Sequence, residues 1–124
     1  MKEYSELYEG KIGVILTNLG TPNAPSKKAL KKYLNQFLMD KRVVDINRLV
    51  WLPILKLIIL NVRPKKSAKL YNKIWTDKGS PLMVYMNNIK NEIIKKFSSK
   101  NSFQFEIAMR YGDPSFKKAL DTFK

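Results

Sequence analysis

The segment ILTNLGTPNAP, residues 15–25, joins the end of an apolar run to a glycine and two prolines. The run itself, residues 11–18 (KIGVILTN), is short and almost continuously apolar, which is typical of a strand buried on both faces of a parallel sheet. Loops that follow such strands face the ligand crevice of an open α/β sheet. The segment therefore predicts a buried strand that ends near Asn18 and opens into a tight loop around Gly20.

A helix is expected directly after this loop. Ser26 is a suitable N-cap, and an apolar stripe with helical spacing follows it, with lysines on the other side. The helix should end near Asp40. The residues of the stripe are Leu30, Tyr33, Leu34, Phe37 and Leu38.

Residues 48–60 (RLVWLPILKLIIL) form the most apolar part of the chain, and Asn47 is a plausible cap for a helix there. A membrane-spanning helix needs about 20 apolar residues. This run is shorter, contains Pro53 and Lys56, and stops before residues 63–66, so it should not span a membrane. Two interpretations remain open: a core helix, or an apolar lip that dips into a membrane surface while the adjacent cations contact lipid phosphates.

Two further helices are expected before the second strand. The first covers residues 65–75, is closed by residues 77–79, and has Ala68, Tyr71, Ile74 and Trp75 on its inner face. The second starts with Ser80 as N-cap and Pro81 at the first helical position, and both residue types are preferred at these positions. Its inner stripe should comprise Leu82, Tyr85, Met86, Ile89, Ile93 and Phe97.

After a polar loop at residues 98–102, residues 103–111 (FQFEIAMRY) alternate as a strand does, and residues 112–114 make a turn. Pro114 opens a last helical pattern, whose expected inward residues are Phe116, Ala119, Leu120 and Phe123. Two strands separated by helices predict the opening of a parallel α/β sheet. Because such sheets usually contain more strands, we expect residues 1–124 to be the amino-terminal part of a larger fold or a truncated gene product.

The composition narrows the chemistry that is available to the chain. It has a net charge of +14, mostly from lysine, and contains neither cysteine nor histidine. Disulfides, thiol catalysis, iron–sulfur clusters and the usual transition-metal ligand sets are thereby excluded within these 124 residues. Residues 1–11 carry three glutamates and no apolar core, so they are not a secretory signal, and a cytoplasmic location is the default expectation.

The first loop does not have the chemistry of a phosphate cradle. It lacks both glycine-rich phosphate motifs, and Pro22 removes an amide donor. Asn18 and Thr21 with Leu19 as an apolar tip suit the edge of a large, flat ligand, although an ordinary turn is also compatible. The second loop, residues 109–114, ends the second expected strand and contains Arg110. Because an arginine is costly to bury unpaired, Arg110 needs a carboxylate, either from the protein or from a ligand.

Five segments carry a resemblance to a known family. They are LTNLGTPNAPS at 16–26, YLNQFLMDKRVVDI at 33–46, WLPILKLIILNVRPKKSAKLYNKIW at 51–75, GSPLMVY at 79–85 and AMRYGDPS at 108–115. In this order and spacing the chain resembles the amino-terminal part of a ferrochelatase, most of all the Gram-negative bacterial type. The resemblance implies a Rossmann-like, chelatase-type fold of two halves with a porphyrin in the cleft between them. It also implies the insertion of ferrous iron into protoporphyrin IX to form protohaem, with both as substrates and no permanently bound cofactor.

The resemblance nominates porphyrin-binding positions in this chain. Arg110 is the candidate for a propionate contact, and residues 49–66 fit a rim that approaches a membrane surface. Leu19 falls where relatives place Met or Tyr, so an axial-ligand role is not implied for it. The full set of candidates is Asn18, Leu19, Gly20, Thr21, Leu34, Phe37, Leu38, Tyr71, Ser80, Arg110 and Tyr111.

Each candidate also has a purely structural interpretation. Leu34 and Tyr71 lie on helix stripes and could be core, Ser80 suffices as an N-cap, and Tyr111 could cover the end of the sheet. Relatives use a histidine and a glutamate that lie beyond the length of this chain, so we expect no catalytic or metal-binding residue here and no metal insertion by these 124 residues alone.

Two alternatives to a ferrochelatase segment remain. The first is a truncated remnant that binds porphyrin without turnover. The second is a basic protein of nucleic acids or membrane surfaces, against which stand the scattered lysines and the lack of any base-stacking or groove-reading motif. We therefore expect no nucleic-acid partner.

Overall fold

The structure, a computed structural model, describes residues 10–97 and 102–124. Most of residues 1–11, which are not expected to be a secretory signal, and most of the expected loop at 98–102 lie outside these ranges. The elements in chain order are β1 (Ile12–Thr21), α1 (Lys27–Met39), α2 (Arg48–Pro53), a π-helical segment (Ile54–Ile59), α3 (Leu60–Ile74), α4 (Pro81–Phe97), β2 (Phe103–Gly112) and α5 (Phe116–Asp121).

The two strands pair in parallel, and the described residues form an α/β fold in which helices flank a two-stranded sheet. The register sets Ile12 opposite Phe103 and Thr21 opposite Gly112. This confirms the predicted parallel α/β class and brings the carboxyl ends of both strands to the same edge.

β1 differs from the prediction in length and burial. Instead of turning near Asn18, it stays in the ladder through Thr21, because Gly20 adopts a φ of +121° that lets the carbonyl of Tyr111 approach closely. A Cβ on Gly20 would lie 1.9 Å from that oxygen. The prediction that both faces of β1 are buried was also wrong. Only Gly20 and Thr21 are buried along β1, because the described sheet has one other strand to cover it.

α1 forms as predicted. The Ser26 hydroxyl accepts a hydrogen bond from the Ala29 amide at 3.2 Å, and Asp40 ends the helix. The predicted stripe packs inward, with Phe37 half-buried at its edge. The main core cluster contains Tyr33, Leu34, Leu38, Trp51, Leu55, Leu60 and Tyr111.

The predicted break before Pro64 is wrong, because the helical path runs from Arg48 to Ile74. It passes through the π-helical segment, which follows Pro53, and then through Pro64 inside α3. The Pro64 ring is fully buried, so the apolar burial offsets the backbone hydrogen bond that proline cannot donate. Trp75 lies just after α3, and Ile74 is exposed rather than packed inward.

The last two helices bury less than their patterns predicted. α4 starts at Pro81 after Ser80, as expected, but only Met86 is fully buried, and Tyr85 and Ile89 face outward. α5 begins at Phe116 and not at Pro114. Its cap is Ser115, whose hydroxyl accepts from the Lys118 amide, and the Pro114 carbonyl accepts from the Met109 amide at 2.7 Å.

The inward set predicted for α5 was right in part. Ala119 is buried and Phe123 packs against Gly13, whereas Phe116 and Leu120 are exposed. The six residues of α5 form less than two turns and bury only Ala119. A short helix of this kind cannot turn its whole apolar stripe toward the sheet.

Candidate functional site

Six of the predicted site residues lie at the shared carboxyl edge of β1 and β2: Asn18, Leu19, Gly20 and Thr21 on β1, and Arg110 and Tyr111 on β2. Asn18 pairs with Met109, Gly20 with Tyr111, and Thr21 with Gly112. The two loops beyond the edge are tied together by a hydrogen bond of 2.7 Å from the Asn23 amide to the Asp113 carboxylate. The sequence order of strands and turns thus produces one continuous edge.

Asn18 and Leu19 form the exposed part of this edge. The Asn18 side-chain oxygen accepts from the Leu19 amide at 2.7 Å, and its amide nitrogen reaches the Met86 sulfur at 3.7 Å. The Leu19 side chain is 52% exposed. It presents an apolar contact beside the polar Asn18.

Arg110 has the internal partner that the sequence left open. Its Nη2 lies 2.8 Å from Asp40 Oδ2, and the Tyr111 hydroxyl donates to the same oxygen at 2.9 Å. The Arg42 amide also donates to Asp40, and these contacts, the Arg42 amide first, lower the pKa of the Asp40 carboxyl to about 2. The same carboxylate and Tyr111 raise the pKa of Arg110. The Arg110 side chain is still 46% exposed, so it keeps solvent-facing N–H donors.

Phe37 and Tyr111 form the aromatic part of the site. Their rings meet edge to face with centroids 5.1 Å apart, and Phe37 also stacks on Tyr33 at 6.1 Å. The Tyr33 hydroxyl donates to the Gly20 carbonyl at 3.1 Å, which locks α1 against the end of β1. Burial, with smaller effects from Tyr71 and Tyr111, raises the pKa of Tyr33 to about 12, so it stays a neutral hydrogen-bond donor.

Four candidates have the structural roles that their patterns allowed. Leu34 and Leu38 are buried in the main core with Tyr111, and the Ser80 hydroxyl accepts from the Met83 amide at 3.3 Å as the cap of α4. Tyr71 is half-buried on α3 with its ring edge-on to Trp75, and burial raises its pKa. Their contact with a ligand stays a prediction.

Two cavities of about 250 Å³ flank the loop that follows β1. Thr21 lines both, with Tyr33 in the first and Ser80 in the second. The Thr21 hydroxyl is buried and has no hydrogen-bond partner among the described residues. The first cavity is lined on its other sides by residues that the sequence did not nominate: Asn23, Lys28, Lys32, Gln36 and Asp113.

Asp40 and Gln36 were missed, although both organise the edge. Asp40 anchors Arg110 and Tyr111, and Gln36 accepts from the Gly112 amide at 2.9 Å. Gln36 lies on the last turn of α1, outside its apolar stripe, and Asp40 is the C-cap of the helix. Their spacing of four residues, about one helical turn, was the available signal.

The comparisons with known proteins show the family of the chain. The family model described as Ferrochelatase matches residues 11–124. The chain belongs to the ferrochelatase family. A ferrochelatase of Pseudoalteromonas atlantica is 50% identical over 109 residues, which cover 86% of this chain and 30% of the relative. A ferrochelatase of Wigglesworthia glossinidia brevipalpis is 49% identical over 112 residues, which cover 90% of this chain and 34% of the relative.

The chain spans about a third of the length of the curated ferrochelatases that it matches. Within residues 10–97 and 102–124, no group of three or more His, Cys, Asp or Glu side chains is placed to hold a metal ion. None of the helices in the described ranges is both long and apolar enough to cross a membrane.

Proposed function

We propose that this chain is the amino-terminal portion of a ferrochelatase domain and forms one wall of the cleft in which ferrous iron is inserted into protoporphyrin IX. Membership of the ferrochelatase family supports the metal-insertion reaction. The shared carboxyl edge of β1 and β2 supports a porphyrin bound against that edge, because ligands of open α/β sheets bind there. The observation that carries the proposal is the exposed Leu19 at this edge, with the partly exposed guanidinium of Arg110 beyond it on the neighbouring strand.

A porphyrin has a flat apolar body and two carboxylate tails, so its wall needs apolar contacts and a few cations. Leu19 and Asn18 would contact the macrocycle, and Arg110 would contact a propionate through donors that do not bond Asp40. Asp40 acts as a positioning residue, because its carboxylate holds Arg110 and Tyr111 at the edge.

Metal insertion requires a base that removes the protons of the pyrrole nitrogens. The chain has no histidine, and the tyrosines with resolved shifts, Tyr33 and Tyr71, have raised pKa values, so neither suits this task near neutral pH. We therefore expect the 124 residues to bind porphyrin without catalysing its metallation. The remaining part of the reaction would use residues outside this sequence.

Protoporphyrin binding, followed by fluorescence quenching, tests the proposal. Leu19→Asp should weaken binding about tenfold or more, because it places a carboxylate against the apolar macrocycle. Leu120→Asp is the matched control, since Leu120 is also 52% exposed but lies on α5. Equal affinities of the two variants, or no binding by the parent chain, would remove the support for a porphyrin wall.

We also propose peripheral contact with a membrane surface through residues 49–66, consistent with a cytoplasmic protein. Leu49 is 85% exposed and Leu57 71% exposed, and Val50, Ile58 and Val62 are exposed in the same helical path. The same segment buries Trp51, Leu55 and Leu60 in the main core. Its other face is apolar and exposed, and this face supports the lip. Arg63, Lys65 and Lys66 supply cations beside it.

Vesicle sedimentation tests this second proposal. Leu49→Glu with Leu57→Glu should abolish binding to vesicles that contain anionic lipid. The control Leu70→Glu with Leu120→Glu changes two other exposed leucines by the same charge. If both double variants sediment as the parent does, the lip does not contact the bilayer.

A further inference from the structure

A groove of about 390 Å³ between α1 and the π-helical segment collects four lysines, Lys28, Lys31, Lys32 and Lys56. Asn35 and Leu60 complete its lining. No carboxylate of the described residues lines this groove. We refer to it as the lysine groove.

The fold holds two of the ammonium groups in place with neutral partners. Lys56 donates to the Asn35 side-chain oxygen at 2.7 Å, and Lys31 donates to the Asn61 side-chain oxygen at 3.5 Å. Asn61 is itself fixed, because its amide donates to the Leu57 carbonyl at 2.8 Å. The asparagines orient the lysines without neutralising them, so the positive charge of the groove is uncompensated by these contacts.

Some other cations of the described residues have a carboxylate partner. Lys90 pairs with Glu106 at 3.0 Å and Arg110 pairs with Asp40, whereas the lysine groove has no carboxylate among the described residues of its lining. Four like charges around one concave surface repel each other, and an anionic occupant would relieve this repulsion.

The groove offers ammonium groups and no guanidinium. Arginine binds both carboxylate and phosphate through two parallel hydrogen bonds, whereas lysine is a compact point charge with no such fixed geometry. Four point charges around one concave surface suit an anion of high charge density, and phosphate groups have this property. We propose that the lysine groove binds a compact polyanion that carries at least two phosphate groups. The groove shares Lys28 and Lys32 with the first cavity beside the carboxyl edge, but the proposal does not depend on the proposed metal insertion.

Titration calorimetry of the 124-residue chain with inorganic pyrophosphate tests the site. The parent should bind one pyrophosphate, and Lys31→Gln with Lys56→Gln should weaken binding about tenfold, since each exposed ion pair typically contributes a few-fold to affinity. Glutamine keeps a polar side chain of moderate length. Circular dichroism should show that the variant retains the helical signal of the parent.

The matched control is Lys69→Gln with Lys73→Gln, which removes the same charge from α3 outside the groove. Retained affinity in this control together with weakened affinity in the groove variant supports the site. Equal weakening in both variants means that pyrophosphate responds to net charge alone and overturns the proposal, as does the absence of binding to the parent.

Phosphate groups could come from a soluble polyphosphate or from lipid headgroups. Once pyrophosphate binding is established, vesicles with and without phosphatidic acid separate these sources. The vesicle variant is Lys28→Gln with Lys31→Gln, which leaves residues 49–66 unchanged. If it lowers capture by phosphatidic acid vesicles more than the α3 control does, the site takes a lipid phosphate. If the two variants are captured equally, the site takes a soluble polyphosphate.

Discussion

Replacing Gly20 with alanine tests the close approach of the two strands at the carboxyl edge. Gly20 has a φ of +121°, and an added Cβ would lie 1.9 Å from the Tyr111 carbonyl oxygen and 2.9 Å from its carbon. Because both atoms belong to the backbone of β2, no side-chain rotation can relieve the overlap, and the strands must separate.

The chain supplies a control that isolates this steric effect. Gly79 has a φ of +108°, and a Cβ placed there meets no atom within 4 Å. Gly79→Ala should therefore cost only the backbone strain, about 1–3 kcal/mol of the free energy of unfolding. Gly20→Ala should cost that amount and, in addition, about 1–3 kcal/mol or more for the forced separation.

Urea unfolding followed by circular dichroism measures both variants, and the difference between their free energies is the quantity of interest. A folded Gly79→Ala beside a Gly20→Ala that is less stable by about 2 kcal/mol or fails to fold agrees with the geometry. Equal stabilities of the two variants would show that β1 does not approach β2 at Tyr111 and would refute the reasoning.

Three further predictions concern stability. The pKa of Asp40 is lowered in the folded chain, so its stabilising contribution is present above the ordinary carboxyl pKa near 4 and is lost as pH falls toward about 2. The urea midpoint of Asp40→Asn should therefore depend less on pH over that range than the midpoint of the parent does. Leu55 is fully buried in the main core, so Leu55→Ala should lower the free energy of unfolding by about 2–5 kcal/mol in the same urea assay. Leu57 is exposed, so Leu57→Ala should change it by less than about 0.5 kcal/mol. Ser26→Ala should lower stability by about 1 kcal/mol through loss of the α1 cap, and Ser26→Asn should restore most of it, as thermal denaturation would show.

The sequence determined the local elements of this protein well. The cap at Ser26, the stripe of α1, the proline start of α4 and the alternation of β2 are set by contacts between residues close in the chain, so they can be recognised from spacing alone. The resemblance to ferrochelatases likewise rests on segments that the family model confirms.

The tertiary structure decided how far β1 extends, how the helix passes Pro64, and which carboxylate of the described residues pairs with Arg110. Gly20 stays in the ladder because Tyr111 of a distant strand lies opposite it, and Arg110 pairs with Asp40, 70 positions away in the chain. The lysine groove also combines residues of α1 with Lys56 of the π-helical segment. Periodicity describes which face of one element a residue occupies, but it contains no information on what another element places against that face, and burial and charge pairing depend on the latter.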